Sequence, residues 1–192
     1  MLSISIQIRT TDKMMKDVNA ALDPQVFYGF FTCAAKLAGR HRRAISHAVV
    51  HLASDFQPLR AQFIKDASSL LDDWPSFLPK PQPLLTSVVA KHSSDGAGDL
   101  GTSQVAMQAA IFEQAIMDAA DLRVISTGSG YAQMSVLRSW RNGGEGSTCM
   151  LPKVNEDTWY TMDHTYDRQL TCDDPAAPIS LTDLDKYWCC HL

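Results

Sequence analysis

The stretch PQVFYGFFTCAAKLAGRHRRAISHAVVHLASDF (Pro24–Phe56) decides the expected fold. In its first half, apolar residues recur at three- and four-residue steps, which places them on one face of an α-helix (Val26, Phe30, Cys33, Ala34 and Leu37). The second half repeats this spacing (Ile45, Ala48, Val49, Leu52 and Phe56). Because only Gly39–His41 separate the two periodic segments, the pattern predicts two helices packed as an antiparallel hairpin.

The segments that follow continue the helical pattern. An amphipathic segment begins at Pro58, and after it four prolines predict an extended connection. Residues 84–89 fit either a helix or a strand, because they include a β-branched pair. Ser103–Ile125 carries the longest helical pattern, and Tyr131–Trp140 predicts one more short helix. The sequence therefore predicts an all-α fold.

Length and composition indicate one ordinary globular domain with a distinct tail. The chain has 192 residues, of which 45% are apolar and 20% charged, and its formal net charge is −4. Residues 1–144 contain 14 Lys and Arg against 12 Asp and Glu, whereas residues 145–192 contain 3 against 9. We therefore expect a mildly basic helical domain over 1–144 and an acidic tail over 145–192. Five aromatic residues in the tail favour packing against this domain or a neighbour (Trp159, Tyr160, Tyr166, Tyr187 and Trp188).

The sequence does not indicate a membrane protein or a secreted protein. No run approaches the roughly 18 consecutive apolar residues of a spanning helix, and Met1–Ile8 lacks the basic leader of a signal peptide. The five cysteines are an odd number, and four of them lie in the tail, so no disulfide framework is evident. We expect an intracellular, reducing setting and no membrane contact.

Catalytic motifs are absent, and we expect no enzyme. His47 and His51 lie four residues apart and could face one metal together with Asp55, but solvent-facing or interface histidines are the simpler interpretation. The tail contains residue types that bind zinc without any C-x-x-C spacing, so free thiols are favoured there (His164, Cys172, Cys189, Cys190 and His191). A small metal-dependent enzyme remains a third hypothesis.

The most specific electrostatic feature is the basic run Arg40-His-Arg-Arg43. Guanidinium groups at the start of a helix lie beside free backbone N–H groups, and both bind phosphate oxygens. If the helices run up and down, Lys91 and His92 would join Arg40, Arg42 and Arg43 at one pole. A solvated turn is the alternative. So small a site becomes useful for RNA only when many copies act along one strand.

Four short matches, in the same order, resemble the coat proteins of tobacco mosaic virus and other rod-shaped plant viruses. They cover roughly residues 20–140 (Asp23-Pro24 with Cys33 and Leu37-Ala-Gly39; Val49-Val50 with Ser54-Asp55-Phe56; Pro83-Leu-Leu-Thr-Ser-Val-Val89; and Val105-Ala-Met-Gln-Ala-Ala-Ile111 with Ser126-Thr-Gly-Ser-Gly-Tyr131). The resemblance does not extend to the tail.

The resemblance implies an up-down-up-down four-helix bundle of the tobacco mosaic virus coat protein type, with an extended C-terminal tail. Copies of such a bundle stack into a helical rod around single-stranded genomic RNA, so the expected location is the virion, and the host cytoplasm during assembly. It further implies that Asp55 belongs to an inter-subunit carboxylate switch, relieved by protonation or calcium. The family's inner-loop arginines have no counterpart here, where Asp95, Ala97, Gly98 and Asp99 stand.

Two hypotheses on function follow. The first is a non-enzymatic capsid subunit that self-assembles on single-stranded RNA and binds its phosphates without sequence readout. The second is a helical-bundle interaction module that binds a protein partner through the aromatic acidic tail and never binds RNA. Neither needs a resident cofactor, apart from calcium at the inter-subunit carboxylates.

Overall fold

A computed structural model describes residues 1–10, 24–40, 44–86, 100–126, 129–141 and 148–151. Strands and helices alternate along this part of the chain. In order they are β1 (Leu2–Ile8), α1 (Pro24–Arg40), β2 (Ala48–Ser54), α2 (Gln57–Lys65), α3 (Ala67–Leu70), β3 (Pro81–Leu84), α4 (Leu100–Ala119), β4 (Leu122–Ser126), α5 (Gly130–Arg141) and β5 (Thr148–Leu151).

The strands form one parallel sheet in the order β3-β2-β1-β4-β5. β1 is the central strand, and it pairs with β2 over seven residues, from Leu2 opposite Ala48 to Ile8 opposite Ser54. On its other side β1 pairs with β4, with Ile4 opposite Leu122. Because all pairs are parallel, the carboxyl ends of the strands lie along one edge of the sheet, which we call the carboxyl edge.

The alternation of β1 supplies the two faces of the sheet. Leu2, Ile4, Ile6 and Ile8 point to one face, where they pack with apolar residues of α1, α2 and α3 in the larger core. The opposite face packs against α4 and α5 through a smaller apolar cluster (Ala53, Met117, Ile125, Ala132 and Val136). Helices therefore cover both faces, as parallel sheets require.

Aromatic side chains join α1 to the segments that follow β2. The rings of Phe31 and Phe63 stack with centroids 6.0 Å apart, and those of Phe27 and Phe56 lie 5.6 Å apart. All four side chains are fully buried. These contacts hold α1 and α2 side by side on one face of the sheet.

The sheet ends on one side at β3, whose sequence is Pro-Gln-Pro-Leu. Proline has no N–H to donate, so it is confined to edge strands, and β3 occupies such an edge. Before β3, the Trp74 indole donates a hydrogen bond to the carbonyl of Pro79 at 3.0 Å. The sequence-based prediction of an extended connection is wrong for the first part of this segment, where the backbone N–H of Leu78 donates to the carbonyl of Pro75 at 2.9 Å and closes a turn. Its end is extended and joins the sheet as β3.

The all-α prediction and the four-helix bundle are wrong, because the described residues form a five-stranded parallel sheet with helices on both faces. The predicted second helix contains strand β2, and the predicted long helix over Ser103–Ile125 ends at Ala119 and is followed by strand β4. The residues expected to form the first helix and the helix at Tyr131–Trp140 do form α1 and α5.

Two further observations bear on the sequence-based expectations. Strand β5 lies beyond residue 144, within the segment assigned to the tail, and the remainder of that tail lies outside the described residues. Cys33 is buried in α1 and disulfide-bonded, which its place in an apolar helical pattern did not predict. Among the described helices, none has the length and apolar character needed to cross a membrane.

The stacked ring of Phe63 allows a direct test of the larger core. Replacing it in Phe63→Ala should lower the free energy of unfolding by about 3–5 kcal/mol, since it leaves a cavity beneath α1. The neighbouring Ile64 is 70% exposed, so Ile64→Ala should change stability by less than about 0.5 kcal/mol. Urea titrations followed by circular dichroism measure both values, and equal losses would contradict this packing.

Candidate functional site at the carboxyl edge of the sheet

The order of the strands singles out one place on the carboxyl edge. After β1 the chain moves outward to β2 and β3, and then it returns across β1 to form β4 and β5. The strand order therefore reverses between β1 and β4. In open α/β sheets, ligands bind outside the carboxyl ends of the strands at such a reversal.

An ion pair connects the residue after β1 to the residue after β2. The Arg9 Nη1 atom lies 2.6 Å from Asp55 Oδ2, and the side chains of Arg9 and Asp55 are 20% and 6% exposed. The backbone N–H of Thr10 and its hydroxyl both donate to Asp55 Oδ1, at 3.1 and 2.8 Å. Asp55 thus accepts two hydrogen bonds from Thr10 and forms an ion pair with Arg9, which remains within reach of solvent.

A second network joins the end of β1 to the end of β4. The Gln7 side-chain amide donates to Ser129 Oγ at 3.3 Å, and its oxygen accepts from the backbone N–H of Ser126 at 3.1 Å. Ser126 Oγ in turn accepts from the backbone N–H of Arg9 at 2.8 Å. Helix α5 begins at Gly130, directly after Ser129, so its N-terminus starts at the strand reversal.

A buried cluster around Arg60 lies beside these networks. Arg60 Nη1 lies 3.2 Å from Glu113 Oε1, and Nη2 donates to the carbonyl of Thr86 at 2.6 Å. The hydroxyl of Thr86 donates to the same Glu113 oxygen. These contacts bring together α2, α4 and the residues after β3, and both charged side chains are almost completely buried.

Burial controls the ionisation of both carboxyl groups. It raises the pKa of Asp55, an effect that Arg9 and the donors of Thr10 oppose. It also raises the pKa of Glu113, opposed by Thr86 and Arg60 and reinforced by the negative charge of Asp55. Asp55 is paired with Arg9 and Glu113 with Arg60, so the net charge of these four side chains is close to zero.

His51 and Ser5 form a separate polar pair inside the sheet. Ser5 Oγ and His51 Nδ1 lie 2.9 Å apart, and both residues are buried on neighbouring strands. Burial, with a smaller contribution from the Arg60 charge, lowers the pKa of His51 to about 4. His51 is therefore neutral at pH 7, and it belongs to the interior of the sheet.

Of the residues that the sequence predicts for RNA binding, the structure describes Arg40 alone. Arg40 is exposed at the end of α1, near the start of β2 and therefore at the edge opposite the carboxyl edge. Arg42, Arg43, Lys91 and His92 lie outside the described residues. Their role in RNA binding stays a prediction. The helical bundle whose ends would bring them together is not present in the part of the chain that the structure describes.

Asp55, predicted as an inter-subunit carboxylate, contacts Arg9 and Thr10 of its own chain. Its role between subunits stays a prediction. His47 and His51 do not share a helical turn, because they flank and occupy strand β2, with His47 exposed and His51 buried. Within the residues described, no group of three or more His, Cys, Asp or Glu side chains could hold a metal ion.

Sequence reasoning missed Gln7, Arg9, Ser126 and Ser129. Two signals could have indicated them. Strict alternation over Leu2–Ile8 marks a strand, with Arg9 and Thr10 directly after it. The run Thr127-Gly-Ser-Gly130 follows an apolar segment and precedes a helix, which is typical of a ligand-binding turn in α/β folds. No protein-family model matches this chain, and no curated protein shows significant similarity to it.

Removing one charge from the Arg60 cluster should greatly lower the free energy of unfolding. Glu113→Gln keeps an acceptor for Thr86 but leaves Arg60 buried without its counter-charge, and it should lower the free energy of unfolding by about 3–5 kcal/mol. Adding Arg60→Met should cost less than the sum of the two single changes, by at least about 1 kcal/mol. Asp118→Asn, at the more exposed pair with Arg138, should cost less than about 1 kcal/mol. Additive losses in denaturant titrations would contradict the coupling.

His51 predicts a loss of stability in mild acid. Its pKa is about 4 in the folded chain against 6.5 when unfolded, so the unfolded state binds more protons between these values. The stabilisation that comes from neutral His51 is complete above pH 6.5 and disappears as the pH falls towards 4. The free energy of unfolding changes by on the order of 3 kcal/mol over this range. The difference in unfolding free energy between wild type and His51→Gln, measured from pH 8 to pH 4, should follow that curve. His47→Gln should keep the wild-type profile, and a flat difference for His51→Gln would contradict the assignment.

Proposed function

We propose that this chain is an α/β ligand-binding domain that binds a phosphate-bearing ligand at the carboxyl edge, between β1 and β4. The observation that carries the proposal is the position of Arg9 and Ser129 at the reversal of strand order, where α5 begins. Thr10 and Ser126 hold this arrangement in place, because their hydroxyls donate to Asp55 and to the carbonyl of Gln7. Arginine and hydroxyl donors bind phosphate oxygens, and the N-terminus of a helix attracts negative charge.

The charge distribution argues against a cation as the ligand. Asp55 lies 2.6 Å from Arg9, which offsets its charge, and Arg9 is the more exposed of the two. Glu113 is likewise opposed by Arg60. A metal ion would need several oxygen ligands with uncompensated negative charge, and the described residues offer no such group.

The RNA-binding function expected from the sequence is a special case of this class, since single-stranded RNA is a phosphate-bearing ligand. The expectation of a helical rod depends on a four-helix bundle, and the described residues do not form such a bundle. The capsid function and its alternative, a partner bound through the tail, stay predictions.

Calorimetric titrations with ADP, inorganic phosphate and a short single-stranded RNA test the proposal. The variant Arg9→Gln/Asp55→Asn converts the ion pair to a neutral amide pair, which avoids leaving one charge unpaired. It should weaken binding at least tenfold, because charge-assisted hydrogen bonds contribute roughly 1.5–3 kcal/mol each.

The matched control is Arg138→Gln/Asp118→Asn, which neutralises another ion pair, 2.9 Å long, on α4 and α5. It should keep the affinity of wild type. Binding of RNA without binding of ADP would support the phosphate class and identify a polynucleotide as the ligand. Equal affinities in the two double variants, or no binding of any of the three probes at millimolar concentration, would overturn the proposal.

A further inference from the structure

The cysteine of helix α1 is both buried and disulfide-bonded. The side chain of Cys33 is 2% exposed and belongs to the larger core. A free cysteine in such a place packs as a small apolar residue, whereas a bonded one joins its helix covalently to a second segment. The partner of Cys33 is one of four other cysteines (Cys149, Cys172, Cys189 and Cys190).

Cys33 lies on the side of α1 that faces away from α2. The ring of Phe31 stacks on Phe63 and therefore marks the side of α1 that is next to α2. Successive residues of an α-helix are rotated by about 100°, so Cys33 lies about 200° around the helix from Phe31. In the sheet, α2 packs against β2, whereas α1 packs against β1 and β4. The side of α1 that carries Cys33 is therefore directed towards β4 and β5.

Strand β5 has a cysteine at the matching place. Cα atoms of β5 lie within 8 Å of Cα atoms of α1, close to the separation that a disulfide spans. In the pairing of β5 with β4, Cys149 is opposite Val124, which is buried in the same core as Cys33. The preceding position, Thr148, is opposite Arg123, whose guanidinium donates to carbonyls at the end of α4 on the other face of the sheet. Because successive positions of a strand alternate between the faces, Cys149 occupies a position on the α1 face.

We propose that Cys33 is bonded to Cys149, and that this disulfide holds the edge strand β5 against α1. Its formation removes two protons and two electrons from the two thiols, and a disulfide oxidant such as glutathione disulfide accepts them and becomes two thiols. A dithiol reductant reverses this step and is itself oxidised to a disulfide. An oxidising compartment preserves the bond, whereas the reducing setting that the cysteine pattern indicated would open it. The attachment of β5 therefore depends on the redox state of the surroundings.

The bond matters most for β5, because the pairing of this strand is short. β5 has four residues, and in the described sheet it pairs with β4 alone. Cys33 and Cys149 lie 116 positions apart, and a cross-link that closes so long a loop strongly constrains the unfolded chain. Without β5, β4 becomes the edge of the sheet, and the backbone N–H and C=O groups on its outer side lose their partners.

Mass spectrometry of tryptic peptides identifies the partner in the wild-type chain. The full chain is produced in an oxidising compartment, and its free thiols are blocked with N-ethylmaleimide before digestion. Trypsin places Cys33 in peptide 17–36 and separates the other cysteines into three peptides (142–153 with Cys149, 169–186 with Cys172, and 187–192 with Cys189 and Cys190). The proposal expects peptide 17–36 linked to peptide 142–153. A link to another peptide, or a blocked Cys33, would overturn it.

Hydrogen exchange measures whether the bond holds β5 in the sheet. In Cys149→Ser, and in wild type produced and kept in dithiothreitol, the amides of β5 should exchange at least about tenfold faster than in oxidised wild type. Cys172→Ser is the matched control and should exchange like oxidised wild type. Strand β3, also of four residues, lies at the opposite edge, and its Gln82 and Leu84 amides should exchange equally in all four samples. Equal exchange of β5 in Cys149→Ser and Cys172→Ser would overturn the proposal.

Discussion

The structure depends on one strand that is paired on both sides and covered on both faces. β1 forms parallel pairs with β2 and β4, and its alternating residues supply both the apolar core and the polar site. Leu2, Ile4 and Ile6 pack under α1, whereas Gln7 ties the end of β1 to the end of β4. Arg9, the first residue beyond the strand, pairs with the residue that follows β2. The same short segment therefore fixes the sheet, the core and the candidate site.

Parts of this fold could be predicted from the sequence, and local periodicity explains which. α1 and α5 have apolar residues at helical spacing, and they are helices. β2 is different, because Ala48, Val49 and Leu52 also fit helical spacing over a segment of only seven residues. Short apolar runs of that length do not distinguish a buried strand from a helix. The four short matches to rod-shaped virus coat proteins include Val49-Val50, which lies in this strand, and Ser126, the last residue of β4.

The candidate site could be predicted only in part. A basic residue next to a strand is visible in the sequence, but the partner of Arg9 is 46 positions away at Asp55. The Arg60 cluster likewise joins residues after two different strands to a helix that follows them. Such groupings arise from parallel pairing between distant segments, and periodicity carries no information about that pairing. Asp55 was identified from the sequence for an inter-subunit role, and the structure gives it partners within the chain.

The central position of β1 also governs the order in which this chain can fold. A hydrogen bond between Ser3 and Asp121 joins residues 118 positions apart, across the pair formed by β1 and β4. Contacts of that separation make folding slow, because the loop must close before the pairing stabilises it. During synthesis, β1 leaves the ribosome before β2 and β4, and one of its two edges stays unpaired until β4 has been made. For that interval, an apolar strand with an open edge is a substrate for chaperones and a starting point for aggregation.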